Sequence, residues 1–333
     1  MRRVTHGIRA ELIDIIAVGN TLGEGMSWDP IHEQAWWTDI QERRLYRYEV
    51  QGGALTRFEL PERLGSFGLV EDSERLIAAF ESGFALYDPH SCEIEWIARP
   101  AHGGANVRFN DGRIDRLGRF WAGSMTEGPG APLGKLYCLT GREVRIHLSG
   151  IAICNSLCFS PDGLHLHFAD TPHRAIFRFD IDPKSGALSG RRLLARTPEG
   201  AFPDGATVDA DGHLWIAHWG AGRIVCYAPD GRECAAIEVP ATQPTCVAFG
   251  GKHLDLLFVT SAREGLSASA LREQPHAGDV FIYRVNVTGL PDRRFRPVPA
   301  ASTTGSRPPP RREPSTESMP RSDPRGPDER PKC

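Results

Sequence analysis

The sequence predicts an all-β fold, a six-bladed β-propeller with a disordered C-terminal tail, from three observations. Helix-period stretches are nearly absent from residues 10–296, while short runs of β-formers recur between Gly, Asp and Pro. The turns that precede those runs begin at Asp29, Glu71, Asp115, Ser160, Asp209 and Gly250, a spacing of 41–49 residues that fits one four-stranded blade. Three of these turns carry Gly at the same offset, Gly118, Gly163 and Gly212, where a positive φ would let the chain reverse.

Each turn is followed by an apolar run, a second turn and another run. The first runs are Gln34–Thr38, Arg75–Phe80, Arg119–Gly123, His165–Ala169, His213–Ala217 and Leu254–Thr260. Six such units imply six blades. The N-terminal run Glu11–Val18 is read as a strand that closes the last blade onto the first. From Pro297 the composition shifts, and Pro, Arg, Ser and Glu dominate Arg307–Lys332 with hardly a large apolar side chain. Such a segment cannot offset the entropy of ordering, so residues 10–296 are expected to form the propeller and 297–333 a passive tail. Its run Arg307-Pro308-Pro309-Pro310-Arg311-Arg312 is the one stretch there that a proline-recognition module could take.

Composition narrows the partners. A formal net charge of −3 argues against nucleic acid and anionic membranes, which favour a basic excess. No apolar run approaches the roughly 18 residues of a membrane span, and Met1–His6 carries charge with no apolar segment behind it. The eight cysteines include no C-x-x-C pair, and Cys154 and Cys158 sit in an apolar run, so reduced, buried thiols and a cytoplasmic location are expected. No obligate protein partner is evident.

Five residues before each turn stand Glu24, Ser66, Asn110, Asn155, Asp204 and Thr245. All six bear oxygen, although the strands they open are otherwise apolar. One repeat position in every blade falls on a ring around the propeller axis, so these side chains are expected to converge at the channel. Two carboxylates and two amides among them suit a cation. A single Glu, Asn or Asp before glycine is ordinarily a turn residue; the shared offset is what favours a metal site. Arg108 lies two residues before Asn110 and so shares its strand face. Asp111, one residue on, is expected to face away as a turn former.

Other chemistries fit less well. The sequence has no G-x-S-x-G nucleophile elbow. His165 and His167 share a strand face with Asp170 nearby, but they fall in a blade's second strand, away from the ring. His218 and Trp219 are read as packing residues, with stacking on a sugar the alternative.

These motifs resemble the SMP-30/gluconolactonase/regucalcin family. The matching stretches are Leu22-Gly23-Glu24-Gly25, Arg108–Gly112 with Gly118–Met125, Ile153–Leu157 with Phe159–Gly163, Pro203-Asp204-Gly205 and Ser261–Gly265. Within the family the chain is most similar to bacterial L-arabinolactonases, through Trp37–Gln41 and Pro61–Gly65. The resemblance implies hydrolysis of a small-molecule sugar lactone with one divalent cation, Ca²⁺, Mg²⁺, Mn²⁺ or Zn²⁺. It implies Glu24, Asn155 and Asp204 as metal ligands, Asp204 as catalytic acid/base, and Arg108 and Asn110 as substrate-binding residues. Animal members carry a substrate-contacting acid where this chain has Gly128, beside Glu127, so their specificity does not transfer. A non-enzymatic calcium-binding regulatory propeller and a phosphotriesterase-like hydrolase are the alternatives on the same fold.

Overall fold

Burial along the strands follows a gradient that explains their sequences. The innermost strands, such as Leu64–Leu69 and Cys154–Phe159, are buried at every residue, while the outer strand Leu55–Glu59 alternates between exposed and half-buried positions. A strand covered on both faces reads as a continuous apolar or small-residue run, and a strand at a sheet's edge alternates. The computed structural model describes residues 7–101, 104 and 106–297. Except for Pro297, the expected tail lies outside the described residues.

Among the described residues there are six four-stranded antiparallel sheets, five of them spanning residues 23–59, 64–98, 107–151, 154–196 and 202–238. The sixth joins Pro244–Gly250, Leu256–Ser261 and Val280–Val285 to the N-terminal strand Ala10–Ile16, whose register runs from Ala10 opposite Val285 to Ile16 opposite Val280. The expected closing strand therefore completes the last blade from its outer edge and ties the two ends of the ring together. Each seam between neighbouring blades holds its own apolar cluster. Trp121 and Leu136 of the third blade, for example, pack with Leu157, Phe159 and Phe168 of the fourth.

The turns behave as the spacing predicts. Gly118, Gly163 and Gly212 have φ of +84°, +72° and +84°. The aspartates that open two of these turns also fix the next strand, because Asp115 accepts from Trp121 Nε1 at 2.9 Å and Asp209 from Trp215 Nε1 at 3.0 Å.

A strap formed by residues 286–296 crosses one end of the channel. It leaves the sixth blade, bridges the fifth at Asp209–Gly289, and reaches the second at Val70–Phe295. Along the way Asp292 pairs with Arg113 at 3.0 Å, Arg116 donates to the Pro291 carbonyl at 2.8 Å, and the Phe295 ring is wholly buried. Cys138, Cys154, Cys158, Cys226 and Cys246 are buried free thiols as expected, and Cys234 is a half-buried one; Cys92 departs from that pattern in being disulfide-bonded. No helix among the described residues is long and apolar enough to cross a membrane.

Candidate metal and substrate site

Every innermost strand breaks register with its neighbour at the polar position. The shifts fall between Glu24 and Ser27, Leu64 and Ser66, Phe109 and Gly112, Asn155 and Cys158, Pro203 and Ala206, and Pro244 and Val247. A β-bulge bends the strand and re-aims one side chain, and here the device is repeated around the ring. The bulge explains how a polar side chain leaves an otherwise apolar strand and turns toward the axis.

Four of the six ring positions reach a common cavity at the end of the channel away from the strap. Glu24, Asn110, Asn155 and Asp204 line it with Arg108, in a volume of about 330 Å³. The other two do not. The Thr245 hydroxyl turns to the Gly23 carbonyl and to Thr260, and Ser66 packs against Gly112. For these two the expected convergence is corrected: the bulge sends the side chain into the seam between blades, where it serves packing.

The lining residues are tied into one another. Arg108 Nη1 donates to Asn110 Oδ1 at 2.7 Å, and Asn110 Nδ2 donates to Asn155 Oδ1 at 2.8 Å. Asn155 Nδ2 in turn donates to Thr171 Oγ1 at 2.8 Å, and that hydroxyl donates to the Pro203 carbonyl beside Asp204 at 2.9 Å. Two more carboxylates hold the approach segments. Asp39 accepts from the Thr21 and Leu22 amides at 2.8 and 3.0 Å, just before Glu24, and Asp170 accepts from Ala152 and Ile153 at 3.2 and 3.0 Å, just before Asn155. Asp170 is thus a backbone clamp, and His167 is a buried imidazole whose pKa burial pushes down to about 3. Gly65 lets the second blade meet the third beside Asn110, since a Cβ there would stand 2.5 Å from the Phe109 carbonyl.

Glu24 and Asp204 are both buried on the lining of this cavity, near enough for each to act on the other's charge. Burial, and then the charge of Asp111, push the Glu24 carboxyl up to about 8, while burial and the charge of Glu24 hold Asp204 well above the usual carboxylate range. Asp111 faces away from the cavity as expected, but its role differs from the expected one. Far from being a turn former, it lies in the strand Val107–Ile114, buried, and accepts from the Leu157 amide of the next blade at 2.7 Å. It holds the neighbouring bulge while adding negative charge below the site.

The donors fit a hard divalent cation. No three of His, Cys, Asp and Glu gather as metal ligands among the described residues, so a cation would draw on two carboxylates and the Asn155 amide oxygen. An all-oxygen set of two negative charges balances a divalent ion, and two crowded carboxylates that otherwise take up protons would be relieved by one. The rest of the lining is mainly apolar, Leu22, Met125, Ile153, Pro172, Phe202 and Trp219, with Thr171 and Glu264 also on it. Trp219 therefore faces the cavity, whereas His218 is buried behind it, 3.3 Å from the Tyr227 hydroxyl. Glu264 lies in a stretch quoted for the resemblance, yet only the closure of the ring brings it near Glu24.

A six-bladed propeller with a carboxylate–amide cluster at one channel mouth defines a small-molecule or cation site on the axis. The SMP-30/Gluconolactonase/LRE-like region matches residues 22–263, and the chain belongs to that family. It is 38% identical over 284 residues to an L-arabinolactonase of Azospirillum brasilense, covering 84% of this chain and 94% of that one. A 6-deoxy-6-sulfogluconolactonase of Pseudomonas putida is 36% identical over 84% of this chain and 97% of its own length. Among solved structures, a calcium-binding regucalcin from Agrobacterium tumefaciens superposes with a TM-score of 0.82 at 32% identity, covering 86% of this chain and 98% of the other.

Proposed function

We propose that this protein is a metal-dependent lactonase that hydrolyses a sugar lactone, L-arabinono-1,4-lactone or a related aldonolactone, to the aldonic acid. The observation that carries the reading is the meeting of Glu24, Asn155 and Asp204 with the Arg108–Asn110 pair in one cavity of about 330 Å³. The relatives named as sugar lactonases, aligned over most of both chains, support it.

Glu24, Asn155 and Asp204 would hold the cation. When bound, a divalent ion supplies Lewis-acid stabilisation to a carbonyl oxygen that gains negative charge, and acidifies water beside it. Asp204 accepts the proton of the attacking water as its oxygen bonds to the lactone carbonyl carbon. It returns that proton to the ring oxygen as the ester C–O bond breaks, so the acid leaves with an open chain. Arg108 donates to the substrate's hydroxyls or carbonyl, and Asn110, whose Nδ2 hydrogens go to the Cys154 carbonyl and Asn155 Oδ1, accepts from a substrate hydroxyl through Oδ1. The apolar wall of Phe202, Ile153 and Trp219 covers the carbon face of the sugar and keeps bulk water off it.

The test is a panel of arabino-, xylono-, galactono- and gluconolactones, with an organophosphate ester alongside, followed by proton release. The protein is first stripped by chelator, and each divalent cation is then restored separately. Cation-dependent turnover of at least one lactone is expected. Cation binding without turnover of any lactone would point to a calcium-binding propeller instead, and organophosphate turnover alone to a phosphotriesterase.

A further inference from the structure

Outside the cavity lining, at its rim, one arginine gathers groups from four blades. Arg63 closes two paired contacts at once. Its Nε and Nη2 donate to the two Glu81 oxygens at 2.9 and 2.7 Å, and its Nη1 and Nη2 to the two Glu127 oxygens at 2.8 and 3.0 Å. The same Glu127 oxygen that meets Nη1 also accepts from Arg108 Nε at 2.8 Å. On the other side Arg63 Nη1 lies 3.5 Å from Gln41 Oε1, and Gln41 Nε2 donates to Glu264 Oε1 at 2.6 Å. The backbone is pinned as well, with the Glu81 amide donating to the Arg63 carbonyl at 2.8 Å.

Neither Arg63 nor Glu127 lines the cavity, but both of their chains of contact end on residues that do, Arg108 and Glu264. The Arg108 side chain is only 5% exposed, against 22% for Arg63 and 29% for Glu127. A buried guanidinium that must present one edge to a substrate has to be held on its other edge. Glu127 holds Nε of Arg108, while the Phe109 carbonyl at 3.0 Å and Asn110 Oδ1 at 2.7 Å take the Nη1 hydrogens, which leaves Nη2 for the cavity. Glu127 would itself swing without Arg63, because its other oxygen meets only that guanidinium among the hydrogen bonds in this cluster. Burial works against charge on Glu127, yet the hydrogen bonds from Arg63 and Arg108 outweigh it and keep the carboxyl below its usual range.

We propose that Arg63 is a positioning residue for catalysis, which aims Arg108 at the substrate through Glu127 and holds Glu264 on the cavity wall through Gln41. The inference rests on the lactonase reading for its kinetic consequence, though not for the geometry. Arg63 touches no metal-binding candidate, so it acts on substrate placement and leaves the cation alone. Its place in Pro61–Gly65, which the resemblance to arabinolactonases had singled out, then has a physical role: Gly65 seats the strand against Asn110, and Arg63 fixes the residue two before it.

The test compares wild type with Arg63→Met, Arg63→Lys and Glu127→Gln, using a lactone that the wild type hydrolyses. Arg63→Met is expected to raise KM by about 10- to 100-fold, the scale of an ångström-level misplacement of a binding group. kcat and cation affinity should move far less, since the lost interaction is one of substrate binding. Arg63→Lys should restore part of the loss, and Glu127→Gln should shift KM the same way. A second readout needs no turnover: the Arg108 Nε–H resonance in ¹⁵N NMR should exchange faster with solvent in Arg63→Met and in Glu127→Gln. Unchanged KM and unchanged Nε–H exchange, whatever happens to the melting temperature, overturn the proposal and make Arg63 a brace between blades. If the wild type hydrolyses no lactone, the activity reading has failed, and the exchange measurement still decides the positioning role.

Discussion

The two ends of the channel are built from the same six strands and treat buried charge in opposite ways. At the strap end Arg113 has both terminal nitrogens of its guanidinium engaged: they donate to the Met26, Ala206 and Val247 carbonyls at 3.2, 2.9 and 3.5 Å and to Asp292 at 3.0 Å, and only the buried Nε lacks a partner. Four points of the ring and strap are thereby tied to one side chain. At the other end Glu24 and Asp204 face each other with like charge, and both resist ionisation. A buried charge with its partners in place serves as structure; buried carboxylates set against one another are costly unless a ligand arrives. The difference is what sets the proposed site at one end of a nearly symmetric ring.

The sharpest way to break that comparison is Asp204→Asn. The amide keeps the volume and one oxygen but cannot accept the proton, so kcat is expected to fall by about 10²- to 10⁴-fold with cation saturating. Proton-release assays on protein whose cation content is checked by calorimetry measure this, and near-normal turnover would remove Asp204 from the chemistry. In the cation-free protein the same change should raise the melting temperature, because it relieves the crowding with Glu24.

Arg113→Met at the opposite end should do the reverse. It removes the charge partner of Asp292 and one donor from each of three carbonyls, and loss of one member of a buried pair typically costs about 3–5 kcal/mol. Urea unfolding reads this directly. A loss near zero would mean that the strap end holds together through Phe295 and the seams alone.

Much of this was legible in the sequence, and the parts that were not share a cause. The six-fold spacing and the polar intruder in each apolar strand placed Glu24, Asn110, Asn155 and Asp204 on one ring, because a strand buried on both faces has no ordinary use for a carboxylate. What alternation could not supply was the bulge. Slipping one residue reverses which face a side chain takes. Alternation turns Asp111 away from the cavity, as the structure has it, but gives no hint that it is a buried clamp on the next blade, and it directs Ser66 and Thr245 inward when they sit in the seams. Arg63, Gln41 and Glu264 come from separate blades and meet only once the ring closes, so no spacing in the chain announces them. The strap is similar: Asp292 lies 179 positions from Arg113, in a segment with no strand pattern of its own.

The smallest effect expected is also the one that reads the proposed site most directly. In the cation-free fold Glu24 holds its proton up to about pH 8, against 4.5 for an unperturbed glutamate. Between those values the folded chain binds that proton more tightly than the unfolded chain, so its stabilising effect is complete below the lower one and is lost as pH rises through the upper one. A cation competes with the same proton, so its binding strengthens over the same interval. The gap in melting temperature between cation-loaded and chelated protein should therefore widen as pH rises from about 5 to 8. Scanning fluorimetry across that range, with and without chelator, measures the gap. A gap that stays constant with pH would mean that Glu24 gives up no proton to the ion, and would detach it from the proposed metal site while leaving the strap end as described.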